Sequence, residues 1–179
     1  YGHLTLQTDG TYSYALDNAL PAVQQLAADE TVSEAFVYEV SDGLERTTGT
    51  LRIDIVGRND APVAKVDQAE VAEDGVTIVS GNLLANDQDD DHNDVLQVVD
   101  VGSRIGDYGS LQLGSDGAYT YVLDNTSDAI QALATGEIVT ETFDYTVTDG
   151  IASSSASLTV TINGSNDAPA VTADVASLV

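Results

Sequence analysis

The chain has 179 residues, 30 of them acidic against five basic, a formal net charge of -25, and no Cys, Met or Trp. The missing cysteines exclude disulfides and thiolate metal sites, and the missing basic stripe argues against nucleic acid or an anionic membrane as partner. The apolar residues, 42% of the chain, recur periodically, which a disordered acidic tail would not do.

Residues 1–62 are answered 107 positions later. Tyr1 to Pro62 aligns with Tyr108 to Pro169 without a gap, and 30 of the 62 positions are identical. YGHLTLQTDGTYSYALDN becomes YGSLQLGSDGAYTYVLDN, FVYEVSDG becomes FDYTVTDG, and GRNDAP becomes GSNDAP. A long gapless period marks modules strung end to end. Taken from one NDAP to the next, residues 63–169 form one complete module. Residues 1–62 are then the later part of the preceding module, and residues 170–179 begin a third or form a tail. The chain therefore reads as a piece of a longer array, and it contains no signal peptide and no apolar run of membrane-spanning length. A first module without its opening strands is expected to expose a sheet edge and part of a core.

Within the complete module the pattern predicts strands near Lys65–Ala72, Gly75–Val79 and Val95–Gly102. Leu111 and Leu113 alternate with polar residues before the turn at Asp116-Gly117, and Tyr119 and Tyr121 resume the alternation after it. That is the signature of a hairpin. Residues 128–133 suit one helical turn, with Ala129, Ile130 and Leu133 facing in. Phe143, Tyr145 and Val147 form one further alternating run, and Ala156, Leu158, Val160 and Ile162 another. About seven short strands in roughly 100 residues predict an all-β fold of tandem immunoglobulin-like sandwiches. The tyrosines fit cross-strand packing better than a ligand platform.

The chemical signal lies between the second and third of these strands, in Asn86-Asp87-Gln88-Asp89-Asp90-Asp91-His92-Asn93-Asp94. No Lys or Arg lies between Lys65 and Arg104 to neutralise it. In an extended loop Asp87, Asp89 and Asp91 project to one side. Three convergent carboxylates repel one another unless a cation sits among them. Calcium suits them, because it takes six to eight oxygen ligands in a tolerant geometry, whereas magnesium demands a strict octahedron and zinc prefers His or Cys. The competing reading is a solvated acidic loop, with His92 a solvated residue within it. The loop is not an EF-hand, since the sixth position from Asp87 is His92 and the twelfth is Val98.

Together NLLANDQDDD, YGSLQLGSDGAYTYVLDN, ETFDYTVTDG and SNDAP resemble the VCBS repeat, a cadherin-like module of large secreted bacterial adhesins of the RTX type. They are also similar to the cadherin-like domains of rhizobial adhering proteins. The resemblance implies a calcium-binding module that mediates attachment to a cell surface, extracellular polysaccharide or biofilm matrix. It implies an extracellular or cell-surface location, reached by type I secretion. By analogy with cadherin junctions, the calcium ligands would be Asn59 and Asp60 of the linker, Asp87 and Asp89 of the loop, and Asp149. A second junction would use Asn166 and Asp167, with Glu73 from the AEDG segment, and Asp42 would take the role of Asp149 in the first module. The chain departs from the cadherin pattern in lacking an LDRE segment, and NDAP alone could be a turn ended by a rigid proline.

Three functions remain open on the sequence. One is a carbohydrate-binding module, one a passive calcium-stiffened spacer whose partners are neighbouring repeats, and one an enzyme such as a glycosidase with paired carboxylates. The enzyme is disfavoured. The chain has no GxSxG elbow, HExxH or phosphate loop, and His3 and His92 are not repeated in the other module.

Overall fold

A computed structural model of the chain describes residues 1–169. The expected start of a third repeat or tail, residues 170–179, lies outside them. The chain forms two compact units. The first holds residues 1–63, 87–97 and 147–154, and the second the remainder.

Two hairpins build most of the first unit. Strands β1 (Gly2–Leu6) and β2 (Tyr12–Leu16) pair antiparallel, as do β3 (Thr31–Ser41) and β4 (Arg46–Val56). A single helical turn, α1 (Pro21–Gln24), lies between them in sequence and buries Val23. Tyr14 meets Phe36 edge-on with ring centroids 6.1 Å apart, so the hairpins touch through aromatic side chains.

The second unit is a β-sandwich. One sheet has the order β6 (Ile78–Asn82), β10 (Ala118–Leu123), β9 (Gly109–Leu113) and β8 (Gly102–Ile105). The other has the order β5 (Asp67–Ala72), β12 (Ser153–Asn163), β11 (Ile138–Thr148) and β7 (Gln97–Val98). Alternation fills the space between the sheets, as expected of strands with one buried face. Leu111, Leu113, Tyr119, Tyr121 and Leu123 enter from the first sheet, and Val71, Phe143, Tyr145, Leu158, Val160 and Ile162 from the second. Tyr121 meets Phe143 edge-on at 6.0 Å. β5 joins β12 in parallel, with Leu158 opposite Asp67 and Ile162 opposite Val71.

The Asp116-Gly117 turn forms as its sequence predicts. Gly117 takes φ 78°, which glycine adopts without a Cβ penalty, and Asp116 Oδ1 accepts a hydrogen bond from Ala118 N at 3.1 Å. The turn at 128–133 also forms, as α2 (Asp128–Gln131), capped by Ser127 Oγ accepting from Ile130 N. Ile130 is buried, but Ala129 is exposed and Leu133 only half-buried, because a single turn presents one residue fully to the core. Two strand positions differ from expectation. β6 starts at Ile78 rather than Gly75, since residues 72–75 form a turn with Asp74 at φ 54°. The run at 95–102 yields only the two-residue β7, and the next strand begins at Gly102.

Candidate metal centre

Three segments of the first unit supply the acidic cluster: the Asn59-Asp60 linker after β4, the 87–97 loop, and the 149–152 turn that joins β11 to β12. The turn is fixed by its own carboxylate. Asp149 Oδ1 accepts from Ile151 N and Ala152 N, each at 2.6 Å, while Gly150 adopts φ 100°. Thr148 Oγ1 donates to Ala152 O at 2.7 Å and closes the same turn. Asp42 does the same in the first repeat, accepting from Leu44 N and Glu45 N at 2.8 Å. The aspartate before this glycine is thus a turn-forming residue in both repeats. At Asp149, however, the second oxygen is committed elsewhere: Asn59 Nδ2 donates to Asp149 Oδ2 at 2.9 Å.

The 87–97 loop is anchored by the bridge between Val63 and Gln88. Asp89 Oδ1 accepts from Asp91 N at 3.1 Å, which tightens the loop into an Asx turn. Asp91 Oδ2 accepts from Asp60 N at 2.7 Å and so holds the linker. Asn93 then takes φ 68°, a left-handed geometry that asparagine tolerates, and the chain reverses. The reversal brings Asp94 to the cluster: one oxygen from each of Asp89, Asp94 and Asp149 lies within 4.8 Å of the others.

These carboxylates are poorly compensated. Asp91 is 4% exposed, and Asp91 Oδ1, Asp89 Oδ2 and Asn59 Oδ1 are buried with no donor of the protein in reach. The described ion pairs of the first unit, Arg46–Glu39, Arg52–Asp54, His92–Glu30 and the N-terminal amine with Glu34, involve none of the cluster residues. Burial pushes the Asp89 carboxyl above its ordinary value; the Asp91 amide opposes this, while Asp149, Asp91 and Asp94 add to it. Burial likewise raises Asp60, with help from the charges on Asp91 and Asp90. Burial also acts upward on Asp149, but the Asn59 amide and the Ile151 and Ala152 N–H groups outweigh it and hold Asp149 below its ordinary value. Each uncompensated buried charge costs several kcal/mol. Oxygen-only donors, converging and partly dry, fit a hard divalent cation such as calcium.

Of the residues singled out from sequence, the structure brings together Asn59, Asp60, Asp89, Asp91 and Asp149. Asp87 stands half-buried at the head of the same loop. The other three candidates belong to the second unit. Glu73 is buried, with Oε1 accepting from Gln131 Nε2 at 3.2 Å and Oε2 from Ser165 N at 2.9 Å. Asn166 and Asp167 are exposed, and Asn166 Nδ2 donates to Asp167 O. Asp94 is the cluster residue that sequence reasoning passed over, and the left-handed tendency of Asn93 was the available signal. His92, read as a solvated residue, is exposed but engaged: its Nδ1 meets Gln25 O, and its Nε2 lies 3.4 Å from Glu30.

A β-sandwich whose later strands repeat the hairpins before it in sequence, with linker, loop and turn carboxylates gathered at one point, defines the class: a cadherin-like repeat. The chain belongs to the bacterial cadherin-like domain family, whose family model matches residues 59–164. It is 34% identical over 103 residues to the calcium-binding lectin RapA2 of Rhizobium johnstonii, a match that covers 50% of this chain and 42% of that protein. The chain thus spans less than half the length of that relative. Among solved structures it is similar to mouse clustered PcdhgC3 EC1-3, at 19% identity and a TM-score of 0.44, over 93% of this chain and 52% of the other. It is also similar to an endo-fucoidan hydrolase of glycoside hydrolase family 107, at 15% identity and a TM-score of 0.39, over 93% and 22%. Among the described residues no helix is long and apolar enough to cross a membrane.

Proposed function

We propose that this chain is a non-enzymatic, calcium-binding module of a secreted bacterial adhesin, with residues 63–169 as one complete repeat. Asp89, Asp94 and Asp149 are the central ligands, and Asn59, Asp60, Asp87 and Asp91 complete the surroundings. The carrying observation is the set of buried carboxylate oxygens on Asp89 and Asp91 that no protein donor reaches. A bound calcium ion supplies the positive charge that these oxygens lack. The protein's part is to pre-form the cluster: Asp91 holds the linker through Asp60 N, and Asn59 holds Asp149. Because the linker is a ligand-bearing segment, occupancy restricts its freedom and stiffens an array of such repeats.

The partner we favour is an extracellular polysaccharide or cell-surface glycan, supported by the relative described as a calcium-binding lectin. The tandem period favours a second reading, a passive spacer whose partners are neighbouring repeats. The location we propose is extracellular, at or beyond the cell surface, with type I export. Thermal unfolding in EDTA and across calcium and magnesium titrations tests the metal site. We expect a saturable rise in midpoint with calcium, since a ligand that binds only the folded state stabilises it by mass action, and little response to magnesium. An equal magnesium response, or none to either ion, would reject the site. Glycan-array binding with and without EDTA then separates adhesin from spacer.

A further inference from the structure

The two repeats carry the same pair of amide side chains, but only the second repeat uses them. There they hold the segment Val71-Ala72-Glu73-Asp74-Gly75. Gln131 Nε2 donates to Glu73 Oε1 at 3.2 Å, and Ser165 N to Glu73 Oε2 at 2.9 Å. Asn125 grips the next residue twice: its Oδ1 accepts from Asp74 N at 3.2 Å, and its Nδ2 donates to Asp74 Oδ1 at 2.8 Å. Glu73 N donates to Asn163 O at 2.9 Å, and Val71, opposite Ile162, is buried in the core.

Shifted by 107 positions, Asn125 becomes Asn18, Gln131 becomes Gln24 and Ser165 becomes Arg58. The local backbone is alike: Gly57 N donates to Glu30 O at 2.7 Å, as Gly164 N does to Glu137 O at 2.9 Å. In the first repeat, however, these donors are idle. Among the described residues, no hydrogen bond engages the Asn18 or Gln24 side chain or Arg58 N, and Arg58 forms no ion pair. They border a cavity of about 260 Å3 together with Leu16, Ile55 and Asp60. Leu16 is 41% exposed where its counterpart Leu123 is 4% exposed. Arg58 is the one cation of the lining and Asp60 the one carboxylate, so the cavity is locally neutral in a chain of net charge -25. Val56 stands in the place of Asn163. The backbone acceptor is therefore kept, and only the Asn163 side-chain bonds to Glu70 and Val71 are lost.

We propose that the first unit is a receptor for a Glu-Asp-Gly turn carried on an extended segment of another cadherin-like repeat. The glutamate carboxylate accepts from Gln24 Nε2 and Arg58 N, and Asn18 grips the aspartate. The apolar residue two places before the glutamate lies beside Ile55, as Val71 lies opposite Ile162. The ligand is not Val71–Gly75 of the same chain, which is held within the second unit. The contact uses none of Asp89, Asp94 and Asp149, so it is tested without calcium.

The probe is a fluorescent peptide of residues 67–77, which carries Val71 to Gly75 with its flanks. It is titrated with the full chain in EDTA at about 0.15 M salt, where screening confines repulsion between the two acidic partners to about 8 Å. We expect a saturable rise in anisotropy. Glu73→Gln in the peptide should weaken binding about tenfold, because hydrogen bonds to a carboxylate are about twice as strong as neutral ones. Gln24→Leu in the chain should weaken it to a similar degree. Asn18 is exposed, so Asn18→Ala keeps the fold and should also weaken binding. Amide NMR locates the peptide: shifts are expected at Asn18, Gln24 and Arg58 and not at Asn125 or Gln131. Three results overturn the proposal: no saturable binding, equal binding of the Glu73→Gln peptide, or shifts confined to Asn125 and Gln131. The last would mean that the peptide merely exchanges with the chain's own segment.

Discussion

Asn59 and Asp149, 90 residues apart in sequence, are joined by a 2.9 Å hydrogen bond from the asparagine amide to the carboxylate. The bond does two jobs. It stabilises Asp149 as a charged group in a half-buried position, and it leaves Asn59 Oδ1 buried without a donor. A carboxamide can therefore serve both halves of the site: its N–H compensates one carboxylate, and its oxygen is left for a cation. Asn59→Ala removes both. We expect it to lower metal-free stability by about 1.5–3 kcal/mol, the scale of a lost hydrogen bond to a charged group, and to shift the calcium titration to higher concentration. A calcium midpoint identical to wild type would show that Asn59 serves the turn alone.

Asp90 and Asp94 offer a sharper comparison. Both belong to the same acidic run and carry the same charge, but Asp90 is exposed and Asp94 is half-buried against Asp89 and Asp149. Loop charge alone would make the two equivalent. We expect Asp94→Asn to weaken calcium binding about tenfold or more and Asp90→Asn to change it little, since an exposed charge acts only through screened Coulomb interaction. Calorimetric titration of the two variants decides this. Equal losses would mean that the run acts as a diffuse acidic surface.

That comparison also shows where sequence reasoning succeeded and where it stopped. Strict alternation gives the inward residues of β9, β10, β11 and β12, because a period of two leaves no freedom once one face is buried. The same rule, extended to Asp87, Asp89 and Asp91, assumed a straight loop. The chain instead turns at Asp89 through its own side chain and reverses at Asn93, so Asp91 secures Asp60 and Asp94 takes the third place beside Asp89 and Asp149. Loop conformation rests on these local side-chain bonds, which carry no periodic signature. Glu73 was named by analogy with a junction ligand, and it is found fully engaged by Gln131 and Ser165. Asp149 was legible through the same junction analogy, because it follows the alternating strand at Phe143, Tyr145 and Val147 directly before Gly150.

The repeats share another polar device. Tyr121 Oη donates to Glu141 Oε2 at 2.8 Å inside the sandwich, and Glu141 Oε1 accepts from Tyr108 N at 3.0 Å. Tyr14 and Glu34 form the same contact in the first repeat. Glu141 is buried, so removing the phenol leaves a carboxylate oxygen short of its donor. We expect Tyr121→Phe to cost about 1.5–3 kcal/mol, the range for hydrogen bonds to charged groups. A double-mutant cycle with Glu141→Ala should return a coupling of similar size. Denaturant unfolding measures both, and additive effects would mean that the pair is held by packing alone.

The same pairs set an alkaline limit on stability. Burial, then the hydrogen bond to Glu34 and its negative charge, push Tyr14 up to about 12. Burial and Glu141 push Tyr121 further above the ordinary tyrosine value. In the unfolded chain both phenols titrate near 10. The folded state therefore holds its protons more tightly than the unfolded state, and the unfolded state loses them first as pH rises. Stability from these groups is fully present below about pH 10 and is lost as pH climbs towards and through about 12. Ionisation would place a phenolate beside a carboxylate and break the donor bond at the same time. We expect unfolding free energy, measured by denaturant titration in EDTA, to fall over this window. The fall should be shallower in Tyr14→Phe and Tyr121→Phe, each of which removes one titrating group. Spectrophotometric titration of the folded protein should show these two phenols ionising above the ordinary tyrosine value. If all eight tyrosines ionise together near pH 10 while the protein stays folded, the Tyr–Glu pairs do not hold their protons and this account of alkaline unfolding is wrong.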